Sequence, residues 1–188
     1  MKLKVEHRFD LWGQIEFYES LWPTTQSMYR DYAETKTAVL KLKTWVDAQP
    51  KEEHLTHIDA VCDNFLFTSV IANQPAGWCG NPSPSLPQLT DWEYSGMQDP
   101  HVDLAMFAVY SAFDREKFDH LIDLYFEGDC SWETRIKVYC YAAACGLLWS
   151  NWCEYKSSLG VEFGEYSLQQ YRAAKEYARL AKKEIEKL

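Results

Sequence analysis

The stretch Asp91-Trp92-Glu93-Tyr94-Ser95-Gly96 places two carboxylates, one residue apart, shortly before a glycine. An earlier stretch, His57-Ile58-Asp59, has Asn64 just downstream and adds a third carboxylate and an amide. The sequence between the two stretches predicts a β-hairpin, which would bring its ends together. Carboxylate and amide oxygens are ligands that magnesium prefers, and a spare carboxylate can act on a hydroxyl group. Together these residues predict a phosphoryl-transfer site.

Composition sets the size and class of the protein. A chain of 188 residues is long enough for one hydrophobic core and short for two, so we predict a single domain over residues 1-188. Hydrophobic residues make up 47% and aromatic residues 15% of the chain, which indicates a packed globular fold. The formal net charge is −9, and lysines and arginines are interspersed with acids. This argues against a nucleic-acid-binding or anionic-membrane surface.

The sequence shows no sign of export or membrane insertion. Residues 1–6 lack the apolar segment of a secretory signal. The longest apolar stretch, Tyr139 to Trp149, is shorter than the ~20 residues of a membrane span. The six cysteines show no C-x-x-C pair and no paired zinc spacing, so reduced thiols are favoured over disulfides. We therefore predict a cytoplasmic protein.

The spacing of apolar residues predicts a mostly helical chain. Helices are expected over 9–22 and 27–48, each ended by a proline. Strands over 64–71 and 86–92 would flank a loop over 72–86 that is rich in proline, glycine, asparagine and serine. The remaining segments share helical periodicity and are 99–110, 114–127, 131–155 and 166–188. The predicted fold is mainly α, with one small central β-hairpin.

Two motifs share their order and spacing with a known family. They are His57-x-Asp59-x4-Asn64 and the run DWEYSGMQDPHVDLAMF over residues 91–107. The pair resembles the choline/ethanolamine kinase branch of the aminoglycoside-phosphotransferase-like kinases, which have a protein-kinase-like fold. The resemblance extends from Phe9 to the last helix and corresponds to the C-terminal lobe. It implies an α+β fold that is mainly helical, with the catalytic loop and hairpin over 55–93 and a helical remainder over 99–188.

The resemblance implies a role for each polar residue of the two motifs. Asp59 would contact the substrate hydroxyl, as a base or as a positioning group. Asn64 and Asp91 would hold magnesium, and Glu93 matches a position that can support a second metal ion. In the family these groups serve transfer of the γ-phosphoryl group of ATP, whose charge metal ions neutralise. ATP and Mg²⁺ are therefore the implied cofactors.

Three further residues of the motifs have structural roles by the same resemblance. His57 would brace the loop, and Asp103 would bind the loop backbone rather than the substrate. Cys62 stands where bacterial relatives often have proline, a change expected to affect loop rigidity rather than chemistry.

Other readings of the acidic residues remain open. Asp and Asn near strands are common turn formers and helix caps, which explains any one of these residues but not the whole set. A hydrolase with paired carboxylates would use Asp59 with Asp91 or Glu93. That alternative leaves Asn64 unexplained.

Aromatic residues indicate the substrate. A quaternary ammonium group is bound by aromatic faces in an acidic environment. Trp149 and Trp152 lie three residues apart on a predicted helix and so share one face. In the resembled kinases, aromatic residues of these regions line the choline pocket, which implies an amino alcohol such as choline bound by Tyr94, Trp149, Trp152 and Tyr166. From spacing alone, packing in the core is the more common role of such a tryptophan pair, and it is the resemblance that makes the pocket an equal alternative.

The resemblance leaves the N-terminal half of the kinase fold unmatched. Only 56 residues precede His57, and they contain no glycine-rich loop between strands and no strand-borne lysine. We expect the N-terminal ATP-binding lobe to be absent and the chain alone to be weakly active or inactive. The alternatives are a truncated, non-catalytic binding or interaction module, or a kinase of the same fold for another small hydroxyl substrate such as an aminoglycoside, thiamine or a sugar.

The missing lobe has a consequence for the surface. The face that it leaves is predicted to be apolar, with contributions from Trp12, Phe17, Trp22 or Trp78. Large apolar patches usually find partners, so this face predicts a homo-oligomer.

Overall fold

The computed structural model describes residues 3–67 and 87–188. Within these ranges the chain is mainly helical, with short strands near its middle, which confirms the predicted fold class. The helices are α1 Leu11–Ser20, α2 Tyr32–Ala48, α3 His101–Tyr110, α4 Arg115–Tyr125, α5 Trp132–Ser158 and α6 Tyr166–Ile185. The strands are β1 His54–Thr56, β2 Phe65–Leu66, β3 Gln88–Leu89 and β4 Gly96–Gln98, and Cys62–Asn64 form a 3₁₀ turn.

Helix α5 is the centre of the core, and α1, α2, α3 and α6 pack around it. Ser131 caps its first turn by accepting a hydrogen bond from the Thr134 backbone N–H at 3.1 Å. Gly146 lets α6 come close, because a Cβ at this position would lie 2.7 Å from Ala174 N and from Gln170 O. The long apolar helix α5 is therefore buried, and the helices packed around it are positioned by their contacts with it.

The strands join the two acidic motifs. Strands β2 and β3 pair antiparallel, with Phe65 opposite Leu89, and form the described part of the predicted hairpin. The rest of that hairpin, residues 68–86 with Trp78, lies outside the described residues. Strands β1 and β4 also pair antiparallel, with Leu55 opposite Met97. Sequence reasoning missed β4, which lies within the second motif and pairs with β1, the strand that directly precedes the first motif.

Several predicted boundaries differ from the structure. The first helix spans Leu11–Ser20 rather than 9–22, because the Asp10 side chain caps it by accepting from Gly13 N at 3.1 Å. The sequence predicts the second helix from residue 27, but it begins at Tyr32, because the Glu154 carboxylate holds the preceding segment through Ser27 Oγ and Met28 N, each at 2.8 Å.

The predicted apolar face is wrong for two of its residues. Trp12 and Trp22 are 9% and 8% exposed, because α1 packs against α5 and the Trp22 indole N–H donates to Asn151 O at 3.0 Å. Phe17 is 50% exposed. The homo-oligomer inferred from this face is not supported. In the part of the chain that the structure describes, no helix has the length and apolar character needed to cross a membrane.

Candidate functional site

The loop between β1 and β2, residues 57–64, is held in place by Asp103 of α3. The Asp103 carboxylate accepts hydrogen bonds from the backbone N–H of His57 at 2.8 Å and of Ile58 at 2.7 Å. Ile58 has a φ of 70°, an unusual conformation for a β-branched residue. Its side chain is fully buried, so packing and the Asp103 bond together maintain this strained backbone. The loop is thereby presented in a fixed shape.

His57 connects this loop to the second motif. Its Nε2 lies 2.7 Å from the backbone oxygen of Thr90 and donates to it, and its ring packs edge-on against Trp92 with centroids 4.7 Å apart. Thr90 N in turn donates to Asn64 O at 2.9 Å. The His57 side chain is 1% exposed and contacts both chain segments. These contacts bring the two acidic motifs side by side.

Asp59 is half-buried beside Asn64. The Asn64 amide Nδ2 donates to Asp59 O at 2.9 Å and to Asp59 Oδ2 at 3.1 Å. Burial raises the pKa of the Asp59 carboxyl, and the nearby charges of Asp91 and Glu93 raise it further, while the Asn64 bond and His57 oppose the shift. A carboxylate with a raised pKa is a better proton acceptor than an ordinary one. Asp59 has the environment of a general base.

The oxygen donors beside Asp59 fit a magnesium ion. Because the Asn64 Nδ2 bonds to Asp59, its Oδ1 is the atom that would hold a metal ion. Glu93 lines the same cavity as Asn64 and Asp91 does not, although both carboxylates are exposed to solvent. Among the described residues, no three His, Cys, Asp or Glu side chains group as a metal site. Magnesium needs no such group, since it usually takes one or two protein carboxylates together with phosphate oxygens and water.

A cavity of about 400 Å³ lies between this loop and helices α3, α5 and α6. It brings together most of the predicted site residues, while Asp91, His57 and Asp103 stand outside its wall. The lining residues are Asp59, Val61, Asp63, Asn64, Glu93, Tyr94, Tyr110, Trp149, Trp152, Phe163 and Tyr166.

Six rings follow one another around the cavity, and we call them the aromatic arc. They are Tyr94, Trp149, Trp152, Phe163, Tyr166 and Tyr110, in spatial order. Successive centroids lie 5.6, 5.5, 5.2, 6.4 and 5.9 Å apart. The arc begins next to Glu93 in sequence and ends at the last residue of α3. Its continuity makes one wall of the cavity aromatic.

The arc contains two residues that sequence reasoning did not assign to the site. Tyr110 and Phe163 come from the end of α3 and from the turn before α6, so only the tertiary packing places them here. Trp149 also belongs to the core, because it is 6% exposed and its indole N–H donates to the sulfur of Met106. Trp149 therefore both packs in the core and lines the cavity, while Trp152 is the more accessible ring.

The region of the cavity is rich in carboxylates. No salt bridge within residues 3–67 and 87–188 joins the four carboxylates of this region to a lysine, arginine or histidine. These carboxylates belong to Asp59, Asp63, Asp91 and Glu93. The site therefore has the charge to bind cations.

A larger cavity of about 760 Å³ lies elsewhere, between α2 and α6. Its wall is mainly apolar, with Leu42, Trp45 and Ile185 among the lining side chains. It contains none of the predicted site residues, so its size does not make it the site of chemistry.

Comparison with known proteins supports the resemblance found in the sequence. No family model matches the chain. Over 92 residues, 45% of its length, it is 29% identical to Protein LicA of Haemophilus influenzae, of which this stretch covers 34%. The structure superposes on choline kinase LicA from Streptococcus pneumoniae with a TM-score of 0.74 and 27% identity, over 94% of this chain and 57% of that one. A choline/ethanolamine kinase family protein from Mesorhizobium loti gives a TM-score of 0.68 and 25% identity, over 97% and 56% of the two chains.

These findings confirm the predicted resemblance to the choline/ethanolamine kinases and the fold of a kinase C-terminal lobe. The chain spans about a third of the curated relative that it matches, and somewhat more than half of each solved structure. The likeness is therefore to the C-terminal portion of those proteins.

Proposed function

We propose that this chain forms the substrate-binding lobe of an ATP-dependent kinase that phosphorylates the hydroxyl group of an amino alcohol such as choline. The observation that carries the proposal is one cavity, lined on one side by Asp59, Asn64 and Glu93 and on the other by the aromatic arc. Such a cavity offers a proton acceptor, oxygen ligands for a metal and aromatic faces for a quaternary ammonium group. Names of the similar solved proteins support the choice of choline as the first substrate to test.

Each side chain has a defined task in this proposal. Asp59 accepts a hydrogen bond from the substrate hydroxyl, aligns it for attack and takes its proton. Asn64 holds Asp59 through Nδ2 and offers Oδ1 to magnesium, with Asp91 and Glu93 as the neighbouring ligands. Magnesium-bound ATP supplies the phosphoryl group and the neutralising charge when it is present.

The supporting residues keep these groups in place. Asp103 fixes the backbone of the loop, and His57 ties that loop to the second motif, as their hydrogen bonds indicate. Neither lines the cavity. We assign both as positioning residues.

The five cysteines of the described residues form no disulfide, which supports a cytoplasmic location.

Calorimetric titration with choline tests the pocket. The wild-type chain is expected to bind choline saturably at millimolar concentration, and Trp152→Leu is expected to weaken binding about tenfold, since it removes a cation–π face. Trp132→Leu is the matched control, because Trp132 lies at the start of α5 and is 39% exposed, away from the cavity. Absence of choline binding by the wild-type chain would contradict the proposed function.

Formation of phosphorylated choline from ATP separates a kinase from a binding module. Slow transfer by the wild-type chain with magnesium, and none by Asp59→Asn, would support the kinase. Choline binding without any transfer would support the non-catalytic alternative. Ethanolamine and an aminoglycoside tested in parallel distinguish the substrate classes.

A further inference from the structure

Asp63 has a place in the cavity that neither motif explains. It lies in the 3₁₀ turn Cys62–Asn64, and its side chain lines the cavity. Its Oδ2 accepts a hydrogen bond from the Tyr110 hydroxyl at 2.7 Å. Tyr110 in turn packs against Tyr166, with ring centroids 5.9 Å apart. The aromatic arc therefore ends on a carboxylate.

The Tyr110 hydrogen bond orients the Asp63 carboxylate. The hydrogen bond to Asp63 is the largest cause that raises the pKa of Tyr110 to about 12, so the phenol stays protonated and remains a donor. The bond occupies Oδ2, and no hydrogen bond to Oδ1 is present in the described part of the chain. Asp63 therefore has one oxygen held by Tyr110, and its other oxygen has no hydrogen bond within the described residues and lies at the end of the arc.

The other two carboxylates that line the cavity already have a partner or a proposed role. Asp59 bonds to Asn64, and Glu93 is a proposed metal ligand at the opposite end of the arc. Aromatic faces attract any quaternary ammonium ion weakly, whereas a fixed anion beside them adds Coulombic attraction that a neutral molecule cannot use. Asp63 is the carboxylate placed for this purpose.

We propose that Asp63, oriented by Tyr110, is a specificity-determining residue that selects cationic over neutral alcohols by attraction to the substrate ammonium group. This inference rests on the proposed function and deepens it. Asp63 is exposed to solvent, so the expected effect is moderate and depends on salt.

Titration of choline and of its uncharged carbon isostere, in which tert-butyl replaces trimethylammonium, tests the proposal. In Asp63→Asn the affinity for choline is expected to fall about fivefold, while the affinity for the isostere stays unchanged. Asparagine keeps an oxygen acceptor for the Tyr110 hydroxyl, so the shape of the cavity is retained. Asp129→Asn is the matched control, because it removes the same charge from the turn between α4 and α5, which contributes no lining residue.

The outcomes separate this inference from the proposed function. If Asp63→Asn lowers the affinity for choline and for the isostere equally, Asp63 does not select for charge, although the pocket itself would still stand. The same conclusion follows if Asp129→Asn lowers the affinity for choline as much as Asp63→Asn does. Unchanged choline affinity in Asp63→Asn would do the same. No binding of choline by the wild-type chain would overturn the function and the inference together. A steeper salt dependence of choline binding in the wild type than in Asp63→Asn would support the charge effect.

Discussion

Asp99 and Asp59 show two ways in which this fold treats a carboxylate. Asp99 is 2% exposed, and both of its carboxylate oxygens have partners within the protein. Lys137 Nζ lies 2.8 Å and the Tyr141 hydroxyl 3.1 Å from Oδ2, and His101 N donates to Oδ1 at 3.1 Å. Lys137 is itself 3% exposed and also donates to Pro50 O at 2.7 Å. We call this group the Asp99 cluster.

Asp59, in contrast to Asp99, has no cationic side chain bonded to it within the described residues. Asp59 is half-buried among other carboxylates, and no salt bridge to it is found within the described residues. A buried charge is tolerated when it is paired, and an unpaired one is costly. In the Asp99 cluster a buried lysine compensates the charge of the carboxylate. The cavity leaves that place open, which is what a site for cationic ligands requires.

Removal of the internal cation should have the largest effect. Lys137→Met leaves Asp99 buried and uncompensated, and is expected to lower the free energy of unfolding by about 3–5 kcal/mol in urea titration. The double variant Lys137→Met with Asp99→Asn is expected to recover part of this loss, because the orphan charge is gone.

Lys43→Met is the matched control for Lys137. Lys43 pairs with Asp47 on the surface of α2, with side chains 47% and 44% exposed. Removal of the Lys43 charge should lower the free energy of unfolding by less than about 1 kcal/mol. Equal losses for Lys137→Met and Lys43→Met would contradict the contrast drawn between the buried cluster and exposed charges.

Asp103 is an intermediate case, because its partners are backbone N–H groups instead of a cation. Burial raises the pKa of its carboxyl, while the hydrogen bonds from His57 N and Ile58 N oppose the shift. Asp103→Ala is expected to cost about 2 kcal/mol of unfolding free energy, since it orphans two donors. It should also speed hydrogen exchange at both amides. Exchange rates identical to wild type would show that Asp103 does not fix the loop.

Asp59→Asn should have the smallest effect on stability and the opposite sign. A raised pKa in the folded state means that ionised Asp59 opposes folding: the penalty is absent below the ordinary aspartate pKa and develops as the pH rises through the folded value. The variant is therefore expected to be more stable at neutral pH, by on the order of 1 kcal/mol or less because the group is partly solvated. The gain should disappear below about pH 4. A loss of stability at neutral pH would contradict this.

The sequence located those parts of the site that depend on local spacing. Asp59 and Asn64 lie in one loop, and Trp149 and Trp152 share a helix face, so their proximity follows from a few residues of chain. The mainly helical class followed from the periodicity of segments such as α4 and α6, and the kinase C-terminal lobe followed from the resemblance carried by the two motifs.

Long-range packing explains what the sequence did not reveal. Tyr110 and Phe163 reach the cavity only because α3 and the start of α6 meet across α5. Strand β4 has three residues, and its partner β1 lies about forty residues away, so no alternating pattern signals it. Trp12 and Trp22 are predicted to be exposed only because a missing lobe should uncover an apolar face, and the sequence does not show that packing against α5 buries them instead.

The most direct test of the central claim is the stability that external cations add. Urea unfolding of the wild-type chain in choline chloride with magnesium chloride should show a higher free energy of unfolding than in sodium chloride of equal ionic strength, because a ligand that binds only the folded state stabilises it. At ten times the dissociation constant the gain would be about 1.4 kcal/mol, and Trp152→Leu should lose most of it. Equal free energies of unfolding in the two salts would contradict the account. They would show that the cavity binds neither choline nor magnesium in preference to sodium.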